Sequence, residues 1–69
     1  MTEFKPQFKA ARAIAGFTQV EAAERIGVSA QTLSSWENGA SIPLVTQAVK
    51  MSAVYNVPLD QLCGIRSFV

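Results

Sequence analysis

Apolar residues recur at helical steps in each stretch of chain between glycines. Phe8, Ala11, Ile14 and Ala15 form the inward stripe expected of a first helix, with Pro6 near its first turn and Gly16 as its stop. Thr18 with Glu21 three residues on has the spacing of a capping box and predicts a second helix over Gln19–Ile26. Ala22, Ala23 and Ile26 face its interior, and Gly27 ends it where a left-handed residue costs least. After Val28, Ser29 caps a third helix over residues 30–38, closed by Gly39. Residues 40–43 read as a loop, with Pro43 at or just before the next helix. Leu44, Ala48, Met51 and Tyr55 then set the inward line of a fourth helix over residues 44–55, followed by Asn56 as a left-handed residue. A last short helix over residues 58–63 turns Leu59 and Leu62 inward and stops at Gly64. The pattern predicts an all-α bundle of five short helices joined by small connections.

The third helix has two unlike faces. Leu33 and Trp36, three apart, anchor it inward, and Trp36 reads as core rather than as a stacking platform. Gln31, Ser34, Ser35 and Asn38 fall at i, i+3, i+4 and i+7 on the opposite side. A helix pinned by two apolar residues and offering small neutral hydrogen-bonding groups suits the floor of a DNA major groove. Each residue also has a plain structural reading. Gln31 serves equally as a solvated helix residue, Ser34 and Ser35 as small residues giving clearance, and Asn38 as a C-terminal cap. On the recognition reading, Gln31 pairs with adenine and at least one of the serines touches DNA.

Composition narrows the chemistry. At 69 residues the chain reads as one domain over 1–69, and its 49% apolar content supports a packed core. The 16% of charged residues is low for a small domain and points to apolar surface covered by a partner. There is no apolar run long enough for a membrane span, and the N-terminal MTEFKPQFK lacks a signal peptide's apolar stretch. The lone Cys63 has no internal disulfide partner, which fits a reducing cytoplasm, and it reads as a small buried hydrophobe. Histidine is absent, Asp60 is the only aspartate, and the four glutamates lie on separate elements or one solvated face. Zinc sites, catalytic triads, acid/base pairs and phosphate loops are all missing, so no enzyme activity, metal, cofactor or small-molecule substrate is expected.

The net charge of +1 cuts against simple DNA binding, because phosphate neutralisation carries much of such affinity. Only Lys5, Lys9, Arg12, Arg25, Lys50 and Arg66 are cationic. Lys5 and Lys9 read either as phosphate contacts or as ordinary surface lysines, and Arg25 as a surface partner of Glu21 at i−4. A single copy should bind DNA weakly. Either two copies bind together, or helix N-terminal amides supply phosphate contacts. The tail 65–69 ends in apolar side chains that either fold back onto Phe4 and Phe8 or meet a second subunit.

These residues carry a resemblance. Arg12 ahead of Gly16, Thr18-Gln19, Ala23 and Gly27 at the turn, Leu33 and the string Trp36-Glu37-Asn38-Gly39 are together similar to the lambda-repressor-like helix-turn-helix domains, the Cro/repressor or XRE group. The segment Val57-Pro58-Leu59-Asp60-Gln61-Leu62 looks like that family's closing helix, and the likeness runs from about Lys9 to Gly64. It implies a lambda-repressor-like five-helix bundle. It implies that Gln19 contacts a phosphate and braces the recognition helix, that Ser29, Ala30, Gln31, Ser34 and Ser35 enter the major groove, and that Asn38 and the following loop touch the backbone. It also implies a partly buried ion pair between Arg12 and Glu37, which fixes geometry more than it adds stability. Three positions depart from the family's habit. Ala40-Ser41 lacks the basic residue usual there, Ala30 offers only a methyl group, and Pro58 replaces a Ser or Thr cap. The first two lower the expected affinity.

The expected function is therefore a sequence-specific regulator of transcription that binds double-stranded DNA. It would act as a homodimer on a near-palindromic operator, like a phage or prophage Cro or repressor, with no membrane partner. Two rivals remain: a protein-interaction module such as an antitoxin with secondary DNA binding, and an accessory DNA protein without sequence preference.

Overall fold

The structure, a computed structural model, describes residues 6–64. Five helices follow one another: α1 (Phe8–Ala15), α2 (Gln19–Ile26), α3 (Ala30–Glu37), α4 (Val45–Tyr55) and α5 (Leu59–Leu62). Helices α2 and α3 pack closely across a tight turn. Helix α4 lies against α2, α1 also touches α3 and α4, and α5 closes on α4. The Gln7 amide donates to the Leu62 carbonyl at 2.8 Å, which ties the entry of α1 to the end of α5.

Local chemistry accounts for most helix ends. Thr18 accepts from the Glu21 amide at 3.1 Å, and the Glu21 carboxylate accepts from the Thr18 amide at 2.9 Å. That reciprocal box satisfies two otherwise orphaned donors. The Thr18 amide holds the Glu21 carboxyl below its ordinary range. At the α2–α3 turn Gly27 takes φ 90°, a left-handed conformation costly for any side chain. A Cβ there would also stand 3.3 Å from the Lys50 ammonium, which lies against the C-terminal end of α2 where a cation is favourable. Helix α4 begins with half a capping box. Gln47 accepts from the Leu44 amide at 2.8 Å, and Leu44 has no side-chain oxygen to complete the exchange. Asn56 ends α4 at φ 56°.

One core gathers Phe8 and Ala11 of α1, Ala22, Ala23 and Ile26 of α2, Leu33 and Trp36 of α3, Met51 and Tyr55 of α4 and Leu62 of α5. The buried alanines of α1 and α2 let α3 and α4 pack closely against them. Leu33, Met51 and Leu62 are the largest fully enclosed side chains, and burial of each contributes about 1.5–3 kcal/mol.

Several expected inward residues lie elsewhere. Ile14 is exposed. The inner face of α1 runs through Phe8, Ala11, Arg12 and Ala15, and Ile14 falls about 110° round the helix from its centre. Leu44 is exposed because it is the extended N-cap of α4, ahead of the first helical residue. Leu59 opens the single turn of α5 and sits partly exposed at the rim. Cys63 is half-buried rather than enclosed. Arg25 makes no close salt bridge to Glu21, although its charge helps to lower the Glu21 pKa; its guanidinium lies over the Phe17 ring, 4.7 Å from the centroid. The expectations for Phe4, Lys5 and the tail 65–69 lie outside the described residues.

Tyr55 is the imperfect part of the core. Its ring meets Phe17 at a centroid separation of 6.3 Å. Its hydroxyl is buried without a hydrogen-bond partner among the described residues, and burial, reinforced by the charge of Glu37, pushes its pKa up to about 12. An unsatisfied buried hydroxyl costs about 1–3 kcal/mol. Tyr55→Phe should therefore leave the melting temperature unchanged or raise it by a few degrees. A fall of more than about 5 °C would show that the hydroxyl has a partner.

Candidate nucleic-acid interface

Helix α3 is held from below by Leu33 and Trp36, and at its far end by Glu37. The Glu37 carboxylate collects donors from two other helices. Arg12 of α1 donates through Nε to Oε2 at 2.7 Å and through Nη2 to Oε1 at 3.1 Å. Gln19 of α2 donates through Nε2 to Oε1 at 3.0 Å. Arg12 also donates through Nη1 to the Phe17 carbonyl at 3.0 Å. The Glu37 side chain keeps only 2% of its surface in solvent, and Arg12 keeps 14%. The hydrogen bond to Glu37 outweighs the effect of burial and raises the Arg12 pKa, so the guanidinium stays charged. Gln19 braces α3 with one amide hydrogen; its second hydrogen and its oxygen are not used in this contact.

The outward face of α3 is neutral. Gln31 and Asn38 are exposed, and Ser34 and Ser35 are half-buried at its margin. Asn38 follows the last helical residue and donates to the Ser34 hydroxyl at 3.3 Å, so part of its amide is engaged along the helix. Ala30 is half-buried and packs against the core, which limits what its methyl group offers outward. The chain after α3 folds back: the Ala40 and Ser41 amides donate to the Ser35 carbonyl at 2.9 and 3.4 Å. Those two amides are therefore engaged within the chain.

Ser29 and Thr32 form a small relay that spacing alone did not expose. The Ser29 oxygen accepts from the Thr32 amide at 3.0 Å, and the Ser29 hydroxyl donates to the Thr32 hydroxyl at 2.8 Å. Ser29 is thus committed to capping. Thr32, which accepts that hydrogen bond, is left with its own O–H to donate. The usable signal was the Ser-x-x-Thr step at a helix start, where a hydroxyl at the third helical position lies beside the cap. Within α3 itself, the first-turn amides of Ala30 and Gln31 have no intrahelical acceptor.

Charge near this face is sparse. Lys9 and Lys50 are exposed, and Arg25 is held over Phe17. Among the described residues no group of three or more acidic, His or Cys side chains is placed to hold a metal ion. No helix among them is long and apolar enough to cross a membrane.

Two helices at a tight glycine turn, the second with a buried apolar side and an open polar side, define a helix-turn-helix domain. The helix-turn-helix model of the Cro/C1 type matches residues 8–62, and the chain belongs to that family, one of DNA-binding regulators rather than enzymes. It is 40% identical over 58 residues to the HTH-type transcriptional regulator ImmR of Bacillus subtilis, covering 84% of this chain and 46% of that protein. It is 32% identical over 47 residues to the cryptic phage CTXphi transcriptional repressor RstR of Vibrio cholerae, covering 68% of this chain and 42% of that one. The chain thus spans less than half the length of either relative. Among solved structures it is similar to SinR, a Bacillus subtilis protein described as the master regulator for biofilm formation, in complex with DNA. That match has TM-score 0.75 and 33% identity over 81% of this chain and 90% of that one.

The relay yields a prediction about stability. Ser29→Ala should cost about 1 kcal/mol, a fall of roughly 4–8 °C in melting temperature. Ser29→Asp, which keeps an acceptor, should recover most of that loss. Equal melting temperatures for the alanine variant and the parent would remove Ser29 from the cap.

Proposed function

We propose that this chain is a sequence-specific transcriptional regulator that lays α3 in the major groove of double-stranded DNA and acts as a homodimer on a near-palindromic operator. The observation that carries this reading is the neutral outer face of α3, held rigidly from behind by Leu33, Trp36 and Glu37. The SinR complex with DNA supports it, and the phage repressor RstR supports a phage or prophage setting in a bacterial cytoplasm. Gln31 is the base-reading residue, with adenine as its partner. Ser34 and Ser35 contact the groove, and Asn38 contacts backbone from the end of the helix. Ala30 offers at most a methyl group to thymine. Ser29 contributes through its cap, and Gln19 reaches a phosphate with the part of its amide that Glu37 leaves free.

Regulation by this domain needs no chemistry. It would act by occluding a promoter or by contacting polymerase. In the dimer the two α3 helices should lie about 34 Å apart, one turn of DNA. With so few cations available, affinity should fall only gently as salt rises. The low positive charge also favours a second reading, a protein-interaction module that binds DNA only secondarily.

Gel shifts with random-pool and pool-selected duplexes across a salt series separate the two. Selected sequences that shift with a shallow salt slope support the regulator; no shift even at low salt supports the interaction module. With a selected duplex, Gln31→Ala should weaken binding by about 1–3 kcal/mol and leave the melting temperature nearly unchanged. Undiminished binding by that variant would dismiss Gln31 as the reader.

A further inference from the structure

We propose that Asn38 and Gly39 form a site of spontaneous deamidation, and that the carboxylate it creates releases α3 from DNA. The chemical step stands by itself. Its effect rests on the reading above in which Asn38 contacts the DNA backbone.

The chain holds two asparagines, Asn38 before Gly39 and Asn56 before Val57. Asparagine is thermolabile because the next backbone nitrogen can attack its side-chain carbonyl. The Gly39 nitrogen loses its proton and bonds to the Asn38 Cγ. The Cγ–Nδ2 bond breaks, and the side-chain nitrogen takes up a proton and leaves as ammonia. The succinimide so formed adds one water at either carbonyl and opens to aspartate or isoaspartate. No oxidant or cofactor takes part.

The fold leaves attacker and target open. Asn38 lies just past the last turn of α3, and residues 38–42 are all exposed. The bond from its amide to the Ser34 hydroxyl is long at 3.3 Å, and so is that from the Gly39 amide to the Trp36 carbonyl, also 3.3 Å. Nothing stands within 4 Å of where a Gly39 Cβ would be, so no side chain screens the attacking nitrogen. Attack requires the Asn38 backbone to turn from its ψ of −4°. That turn gives up the bond from Gly39 to Trp36 and the one from Ala40 to Ser35, while the core side chains stay in place. Opening of this kind at a helix end costs far less than global unfolding. Asn56 supplies the contrast. Val57 is branched beside the attacking nitrogen and packs on the core. Its amide donates to the Ser52 carbonyl at 3.1 Å, and its carbonyl accepts from the Ser52 hydroxyl.

The product opposes binding in two ways. A carboxylate in place of the neutral amide takes the net charge from +1 to zero on a chain with only six cations. It also puts negative charge at the C-terminal end of α3, against the helix dipole and facing the phosphates. An isoaspartate lengthens the backbone between α3 and the returning loop as well. DNA in contact with Asn38 would hold it against rotation, so free copies age first.

The chemical step is tested on the whole chain without DNA. The chain is incubated in neutral and in alkaline buffer, and peptide mass spectrometry follows each asparagine. Asn38 should convert about tenfold or more faster than Asn56, and faster still at the higher pH. Its rate should lie within about tenfold of that in the urea-unfolded chain, because only the helix end has to open. Equal rates at the two asparagines, or conversion of Asn38 only on unfolding, overturns the step. The effect is tested with Asn38→Asp in gel shifts on the pool-selected duplex. Binding should weaken about tenfold at low salt, and the gap should narrow as salt rises. A melting temperature within a few degrees of the parent separates that loss from unfolding. Undiminished binding by Asn38→Asp overturns the release, and the Gln31→Ala shift then shows by itself whether the regulator reading stands.

Discussion

The Glu37 carboxylate is where the three helices that make the site are brought to one point. Arg12 reaches it from α1, Gln19 from α2, and Glu37 itself ends α3. A carboxylate so enclosed is costly unless charge and hydrogen bonds both compensate. Here two arginine nitrogens and one amide do so, and the arginine is itself fixed by the Phe17 carbonyl. The bonds are directional, so they set where α3 lies as well as that it lies there. Apolar packing of Leu33 and Trp36 alone would leave more freedom, because dispersion contacts tolerate sliding and rotation. The polar face of α3 is useful only if its position is reproducible to a fraction of an ångström.

On the proposed DNA-binding reading, that fixed placement of α3 compensates for sparse charge. A strongly basic domain can bind DNA loosely in many poses. A neutral face gains affinity only from hydrogen bonds in register with base edges, so it demands a fixed helix. The capping groups work to the same end. Thr18 and Ser29 order the first turns of α2 and α3, and the amides those turns leave unpaired point outward at helix N-termini.

The sequence exposed what is local and periodic. The capping box of α2, the Gly27 turn, the left-handed Asn56 and the burial of Leu33 and Trp36 all follow from spacings of three or four residues. Position on a helix rim did not follow. Ile14 looked like part of an inward stripe, yet the polar Arg12 takes that place because its charge is met by Glu37, 25 residues away. Leu44 was assigned to the α4 stripe but falls just before the helix, where periodicity no longer applies. Arg25 has an aromatic partner from the preceding loop that i,i+4 reasoning does not consider. The Ser-x-x-Thr step marks the Ser29–Thr32 contact, but which hydroxyl donates depends on geometry that a residue string does not contain. The Arg12–Glu37 contact joins distant parts of the chain, so only the family resemblance suggested it.

The most direct measurement is a double-mutant cycle on Arg12 and Glu37, with Arg12→Ala, Glu37→Ala and the double variant unfolded by denaturant under one set of conditions. If the carboxylate is the shared anchor of α1, α2 and α3, the two losses should be strongly non-additive, with a coupling of about 1.5–3 kcal/mol. Losses that add to within about 0.5 kcal/mol would mean that the two side chains act independently and that α3 is held by its apolar side alone.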